Sequence, residues 1–133
     1  MMFHLQIVTP DGLYFDGEAA SVTVPSIDGL VTILPRHINY VTALGMGPAR
    51  VATEVGERYA ACIGGMLTVT GGEVRVVATT FEWANEIDTA RAQASLEKAE
   101  AVLADLSADE KAKQAAKARQ KRAQVRLSVA KKA

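Results

Sequence analysis

Residues 58–79 read Arg-Tyr-Ala-Ala-Cys-Ile-Gly-Gly-Met-Leu-Thr-Val-Thr-Gly-Gly-Glu-Val-Arg-Val-Val-Ala-Thr. Three short runs, 58–63, 66–70 and 73–79, carry Tyr, Ile, Val and Thr, side chains that suit a pleated strand. Gly64-Gly65 and Gly71-Gly72 punctuate them, and paired glycines mark turns. The same texture runs back to the N-terminus. Phe3 to Thr9 reads as a strand closed by Pro10-Asp11-Gly12, with glycine supplying the positive φ of a turn. Over residues 18–25, Ala20, Val22 and Val24 alternate with Ser21 and Thr23, the period of a half-buried strand. Asp28-Gly29 is a hairpin signal before the apolar run from Leu30 to Leu34. Further β-like runs fall at 38–44 and 49–55. Short strands at this spacing predict a sandwich or barrel.

Past residue 84 the pattern changes. Glycine and proline vanish from 85 to 133 and alanine becomes the commonest residue. Ala92, Leu96, Ala99, Leu103 and Leu106 step by four and three, one seam of a helix. Asn85 or Asp88 would cap its start. Ser107-Ala108-Asp109-Glu110 reads as a capping box for a second helix, with Ala112, Ala116, Ala123, Leu127 and Ala130 on its buried side. A link of a few residues predicts antiparallel packing. The fold class is therefore α+β: an antiparallel β-sandwich over 1–84, then an antiparallel two-helix hairpin over 85–133. Alanine buries far less apolar surface than leucine, so the hairpin needs the sandwich, a partner or a ligand to hold it.

Charge divides the chain at the same place. Residues 1–86 hold four arginines against nine acids, and residues 87–133 hold eleven basic against six acidic residues. Nine basic residues and no acid follow Glu110. Cys62 is the only cysteine, so no internal disulfide forms, as in a reducing compartment. No apolar run reaches the roughly 18 residues of a spanning helix, and the N-terminus shows no signal-peptide pattern. The expectation is a soluble or peripheral protein.

Candidate chemistry sits on the helices. Asp88, Arg91 and Lys98 share one helical stripe, and Arg119, Arg122 and Arg126 share another. In an antiparallel hairpin the two stripes converge, and so many cations around one cavity call for an anion. Arginine forks suit a triphosphate. Ala92 is small enough to let a flat ring approach. Spacing alone favours a solvated helix face, which charge runs usually are. No Walker-type loop, catalytic triad or zinc ligand set occurs. His37 reads as a loop residue at a surface or interface, and Cys62 as a small core hydrophobe. A basic helix could also serve a nucleic-acid-binding module, but no aromatic follows Trp83 to stack on bases.

Five stretches, in order, carry a likeness: Leu5-Gln6-Ile7-Val8-Thr9-Pro10-Asp11-Gly12; Gly29 through Ile33-Leu34-Pro35-Arg36-His37; Gly64-Gly65 with Val74-Arg75-Val76-Val77-Ala78; Ile87-Asp88-Thr89-Ala90-Arg91-Ala92; and Arg122-Ala123-Gln124-Val125-Arg126-Leu127-Ser128-Val129-Ala130. Together they resemble the epsilon subunit of bacterial F-type ATP synthases. The resemblance implies a non-catalytic rotor subunit, peripheral on the cytoplasmic face of the cell membrane. Its sandwich would dock on the gamma subunit and the c-ring, coupling proton-driven rotation to ATP synthesis. Its helices would extend against the alpha and beta catalytic subunits and inhibit ATP hydrolysis. Neither nucleic acid nor direct membrane insertion is implied. The I/L-D-x-x-R-A motif and the terminal-helix arginines imply ATP as a regulatory ligand, with magnesium as an accompanying ion left open. Carried over singly, the implied contacts are Glu82, Ile87, Asp88, Arg91, Ala92, Arg122 and Arg126. Lys98 stands where such proteins have an arginine and keeps the charge without the fork.

Overall fold

A computed structural model describes all residues, 1–133. Seven strands come first: β1 (Phe3–Thr9), β2 (Gly12–Ala19), β3 (Ser21–Ser26), β4 (Gly29–Ile33), β5 (Tyr40–Thr53), β6 (Gly56–Thr70) and β7 (Glu73–Trp83). A 3-10 turn (Ala84–Glu86) leads into helices α1 (Thr89–Ala104) and α2 (Glu110–Ala130). The strands form one sheet in the order β2-β1-β7-β6-β5-β3-β4. Neighbours are antiparallel except β1 and β7, which pair in parallel from Leu5↔Val74 to Val8↔Val77.

The sheet becomes a sandwich by folding over itself. Alternation along a strand sends even and odd residues to opposite faces, and three strands change parity midway. In β6 the core takes Ala60 and Cys62, then Leu67 and Val69. In β5 it takes Leu44, then Ala49 and Val51; in β7 it takes Val74, Val76 and Ala78, then Phe81 and Trp83. The pairings keep one register through the bend, from Tyr40↔Val69 to Thr53↔Gly56 and from Ala60↔Trp83 to Thr70↔Glu73. The three strands therefore turn together, and both layers close on one core. Gly64 and Gly65 lie at this bend with φ of 71° and 120°. The pair expected to mark a turn is thus the hinge inside a single long strand. A Cβ on Gly65 would stand 2.1 Å from the Val77 carbonyl oxygen. Pro25 and Pro48 sit where the β3–β5 ladder is interrupted, between Thr23 and Ser26, a place that tolerates a residue without an N–H.

Three expectations change. The run at 18–25 is the end of β2 followed by β3, and the first part of β2 has no clean alternation: Gly12, Leu13, Asp16 and Glu18 are all exposed. The capping box resolves to Asp109 as the cap, its Oδ1 accepting from the Ala112 amide at 2.7 Å, while the Ser107 hydroxyl donates to Asp105. The helical seam buries Ala92 and Ala99 against Ala116 and Ala123. Leu106, however, is 94% exposed in the inter-helix turn, and Ala112 is exposed at the overhanging start of α2. α2 has a second inner face that the seam does not show. Val129, flanked by Val125 and Ala130, packs on Ala61, Ala84, Ile87 and Tyr59 of the sandwich and 3-10 turn. β6 is consequently covered on both sides there, with Ala60 and Cys62 toward the core and Ala61 toward the helix. Burial pushes the Cys62 thiol up to about 12, so it stays a neutral core side chain.

One exposed cluster links three neighbouring strands. The His4 ring on β1 bonds Glu73 on β7 through Nδ1 at 2.7 Å and Asp16 on β2 through Nε2 at 2.5 Å. These bonds, Glu73 first and Asp16 second, raise its pKa from 6.5 to about 9. The folded value is above the unfolded one, so the stabilisation is complete below pH 6.5 and fades as pH rises through about 9. Thermal melts between pH 6 and 10 should show wild-type protein losing stability over that window. His4→Gln should flatten that part of the profile; an unchanged slope would dismiss the cluster.

Candidate functional site

A cavity of about 610 Å³ opens between the end of β7, the Pro10–Gly12 turn and the helices. The sandwich supplies Asp11, Tyr14, Thr80, Phe81 and Glu82 to its wall, and the 3-10 turn supplies Glu86. Helix α1 contributes Asp88, Arg91, Ala92 and Ser95; α2 contributes Arg119, Arg122 and Arg126. The volume falls within the usual range of small-molecule sites.

Each contribution has a local cause. Asp88 caps α1, its Oδ1 accepting from the Arg91 amide at 3.0 Å, which starts the helix so that Arg91 and Ala92 come next. Ala92 is buried in the seam where α1 packs against α2. On α2, residues 119, 122 and 126 lie one turn apart on one stripe, and that stripe faces the cavity because Ala116, Ala123 and Val129 occupy the inner faces. Tyr14 stands edge-on to Phe81 at 5.8 Å between ring centroids.

Of the residues expected at a site, Glu82, Asp88, Arg91, Ala92, Arg122 and Arg126 share this wall. Ile87 does not line it; its side chain is tucked under α2 beside Ala61, Ala84 and Val129. Lys98 lies outside as well, exposed about two helical turns beyond Arg91. Arg119 lines the wall in company with Arg122, and its i,i+3 spacing to Arg122 was the signal for it. Asp11, Tyr14, Thr80, Phe81, Glu86 and Ser95 carried no such signal, because only the fold brings their strands and turns beside the helices.

Four arginines face four carboxylates across the cavity, so the wall is not the uncompensated cation cluster that the stripes suggested. The pairing is uneven. Arg126 Nε donates to Glu82 Oε1 at 2.5 Å. Arg91, Arg119 and Arg122 form none of the chain's four ion pairs. Three unpaired guanidinium groups on two facing helices provide planar donor forks for phosphate oxygens. No cluster of three His, Cys, Asp or Glu side chains that could hold a metal ion forms in the chain.

The sandwich that builds one wall is itself diagnostic: residues 2–84 match the model of the ATP synthase, Delta/Epsilon chain, beta-sandwich domain. The chain belongs to the ATP synthase epsilon family. An ATP synthase epsilon chain of Prochlorococcus marinus (strain MIT 9303) is 37% identical over 133 residues, covering 98% of this chain and all of that one. Another, from Shouchella clausii (strain KSM-K16), is 36% identical over 127 residues, covering 96% and 93%. The fold also matches a chain of the Euglena gracilis mitochondrial ATP synthase OSCP/F1/c-ring assembly, with a TM-score of 0.83 at 23% identity over 97% of this chain and 81% of that one. A chain of the Tetrahymena thermophila mitochondrial ATP synthase central stalk and c-ring matches with a TM-score of 0.64 at 16% identity, over 96% and 95%. As an epsilon chain, the protein is a non-catalytic subunit of ATP synthase. No helix is long and apolar enough to cross a membrane.

Proposed function

We propose that this epsilon chain is a nucleotide-sensing rotor subunit, seated by its sandwich and regulating through its helices. The observation that carries the sensing role is the set of three unpaired arginines at one cavity between α1 and α2. ATP would place its phosphates among Arg91, Arg119 and Arg122, with Ala92 and Ser95 leaving room for a flat ring. Magnesium, if present, would ride on the nucleotide's phosphates. The cavity needs α2 docked on the sandwich, so a ligand that fills it favours that state by its differential affinity.

The sandwich would dock on the gamma subunit and the c-ring. Supporting this, the edge strand β4 and the loop after it expose Leu30, Leu34 and Ile38. Arg36 stands between the last two with φ of +67°, in a turn closed by the His37 amide on the Leu34 carbonyl at 3.2 Å. A non-glycine residue held at positive φ costs about 1–3 kcal/mol and concentrates at functional positions. A lone cation ringed by apolar side chains suits a protein surface better than lipid, because the sandwich is net acidic and would be repelled by an anionic leaflet. The complex would work on the cytoplasmic face of the membrane, coupled to proton flow.

Released from the sandwich, α2 would bring its acid-free basic run against the alpha and beta subunits and restrain ATP hydrolysis. Attraction between opposite charges would steer that contact. The test is reconstitution with the other ATP synthase subunits. A chain ending at residue 84 should still co-purify with gamma and the c-ring. Full-length protein with Lys117, Lys121, Arg119, Arg122 and Arg126 changed to Ala should assemble and hydrolyse ATP several-fold faster than wild type. Loss of assembly by the short chain, or unchanged hydrolysis in the full-length variant, would contradict the respective half.

A further inference from the structure

We propose that Glu82 is a positioning residue: it holds Arg126 by the inner nitrogen, and so couples the cationic wall of the cavity to the docked position of α2. The inference rests on the reading of the cavity as a polyphosphate nucleotide site. It reassigns Glu82 from a ligand contact to the residue that aims one.

Four ion pairs occur in the chain, and only Arg126–Glu82 joins the sandwich to a helix. Both side chains are about two-thirds covered, at 26% and 31% exposure. The bond uses Nε, at 2.5 Å from Oε1. A guanidinium held at Nε keeps its two terminal nitrogens free, and the Arg126 side chain makes no other hydrogen bond in the chain. One edge of the fork is therefore fixed on the sandwich while its outer end is available to the cavity that Arg126 lines.

Glu82 is well placed for this and poorly placed to follow a ligand. Its backbone lies on β7 between the buried Phe81 and Trp83, in register with Ala61. Ala61 is the residue on which Val129 of α2 rests, so the ion pair and the apolar docking contact are adjacent. An unpaired carboxylate beside phosphate groups would repel them. Paired with Arg126 it is neutralised, and the same bond orients the arginine. Withdrawing α2 would break the bond, expose Glu82 to the cavity and remove a phosphate-facing fork in one movement.

The test uses the full chain and calorimetric titration with ATP, GTP and inorganic tripolyphosphate. A positioning role requires Glu82→Ala to weaken all three by a similar factor, about tenfold for one charge-assisted contact. Glu82→Gln, whose amide oxygen still accepts from Nε, should recover most of that loss. Weakening of ATP alone, with tripolyphosphate untouched, would show that Glu82 reads the base and overturn the proposal. A second measurement needs no ligand. Label pairs at Val55→Cys, in an exposed turn of the sandwich, and Gln124→Cys, exposed on α2, report the docked fraction. Glu82→Ala should lower it and Glu82→Gln preserve it; an unchanged docked fraction in Glu82→Ala would also overturn the proposal. Wild-type protein silent toward all three ligands would remove the nucleotide reading, and the label distances would then decide the Glu82 contact alone.

Discussion

Gly65→Ala should unfold the sandwich or cost it about 4 kcal/mol or more, the range reserved for severe steric conflicts. The added methyl would meet only backbone: the Val77 carbonyl oxygen at 2.1 Å, Ala78 Cα at 2.7 Å and the Val77 carbonyl carbon at 3.0 Å. No rotamer change relieves contacts of that kind. Relief would require β6 and β7 to separate where Gly65 faces Ala78, at the bend where both strands change parity. Domains of this size have about 5–15 kcal/mol of total stability. For a domain of 60–100 residues, each kcal/mol is worth about 4–8 °C in Tm, so the melting point should fall by more than about 15 °C. Gly12→Ala is the control: it has a similar positive φ, but nothing lies within 4 Å of the new methyl. It should lose only the milder cost of a strained turn. A Gly65→Ala melt as mild as that of Gly12→Ala would mean that the two strands do not approach as closely as described.

Arg91→Ala and Arg122→Ala should each weaken ATP binding by roughly ten- to a hundred-fold, the cost of one charge-assisted contact. The two residues sit on different helices and have no carboxylate partner to leave exposed. Their removal should therefore leave the melting point nearly unchanged, separating ligand loss from fold loss. Lys98→Ala, which lies off the cavity wall, should bind like wild type, although its stripe with Asp88 and Arg91 made it a candidate. Calorimetry on the isolated chain checks all three. Absence of heat from wild-type protein at millimolar ATP, or variants at Arg91 and Arg122 that bind normally, would leave the arginines as a solvated face.

Most of the fold was legible because its signals are local. Val22 and Val24 on either side of Thr23 report a strand, β3, whatever its neighbours, and the loss of glycine and proline after residue 84 reports helix. Where a residue's role depends on distant chain, the sequence was mute. Gly64-Gly65 has the composition of a turn, and only the approach of β7 makes it a hinge. Val125 and Val129 lie off the alanine seam because they serve a second surface, the sandwich, whose position no periodicity encodes. The site divides in the same way. Arg91, Arg122 and Arg126 were readable from helical spacing and motif. Asp11 and Tyr14 reach the cavity from a turn and strand some 80 residues earlier in the chain, beyond any local pattern. The Ile87 side chain turns under α2, away from the cavity wall, a direction that its motif position does not reveal.

The parallel pairing of β1 with β7 sets an order of assembly. β1 has β2 available at once as a local hairpin, but its other edge stays unsatisfied until Val74–Val77 exist to meet it. On a ribosome, more than half of the chain emerges while that edge lies open, and open edges are where strands of different copies join. Closing so long a loop late makes the sandwich a slow folder for its size, whereas the two helices, built from local contacts, form fast. The helices must then wait for their seat, since the surface that receives Val129 does not exist until β6 and the 3-10 turn are in place. Refolding followed by two probes should show a lasting helical signal only together with the near-ultraviolet signal of Trp83, because marginal helices persist only once docked, with their common rate set by the return of a single strand from the other end of the domain.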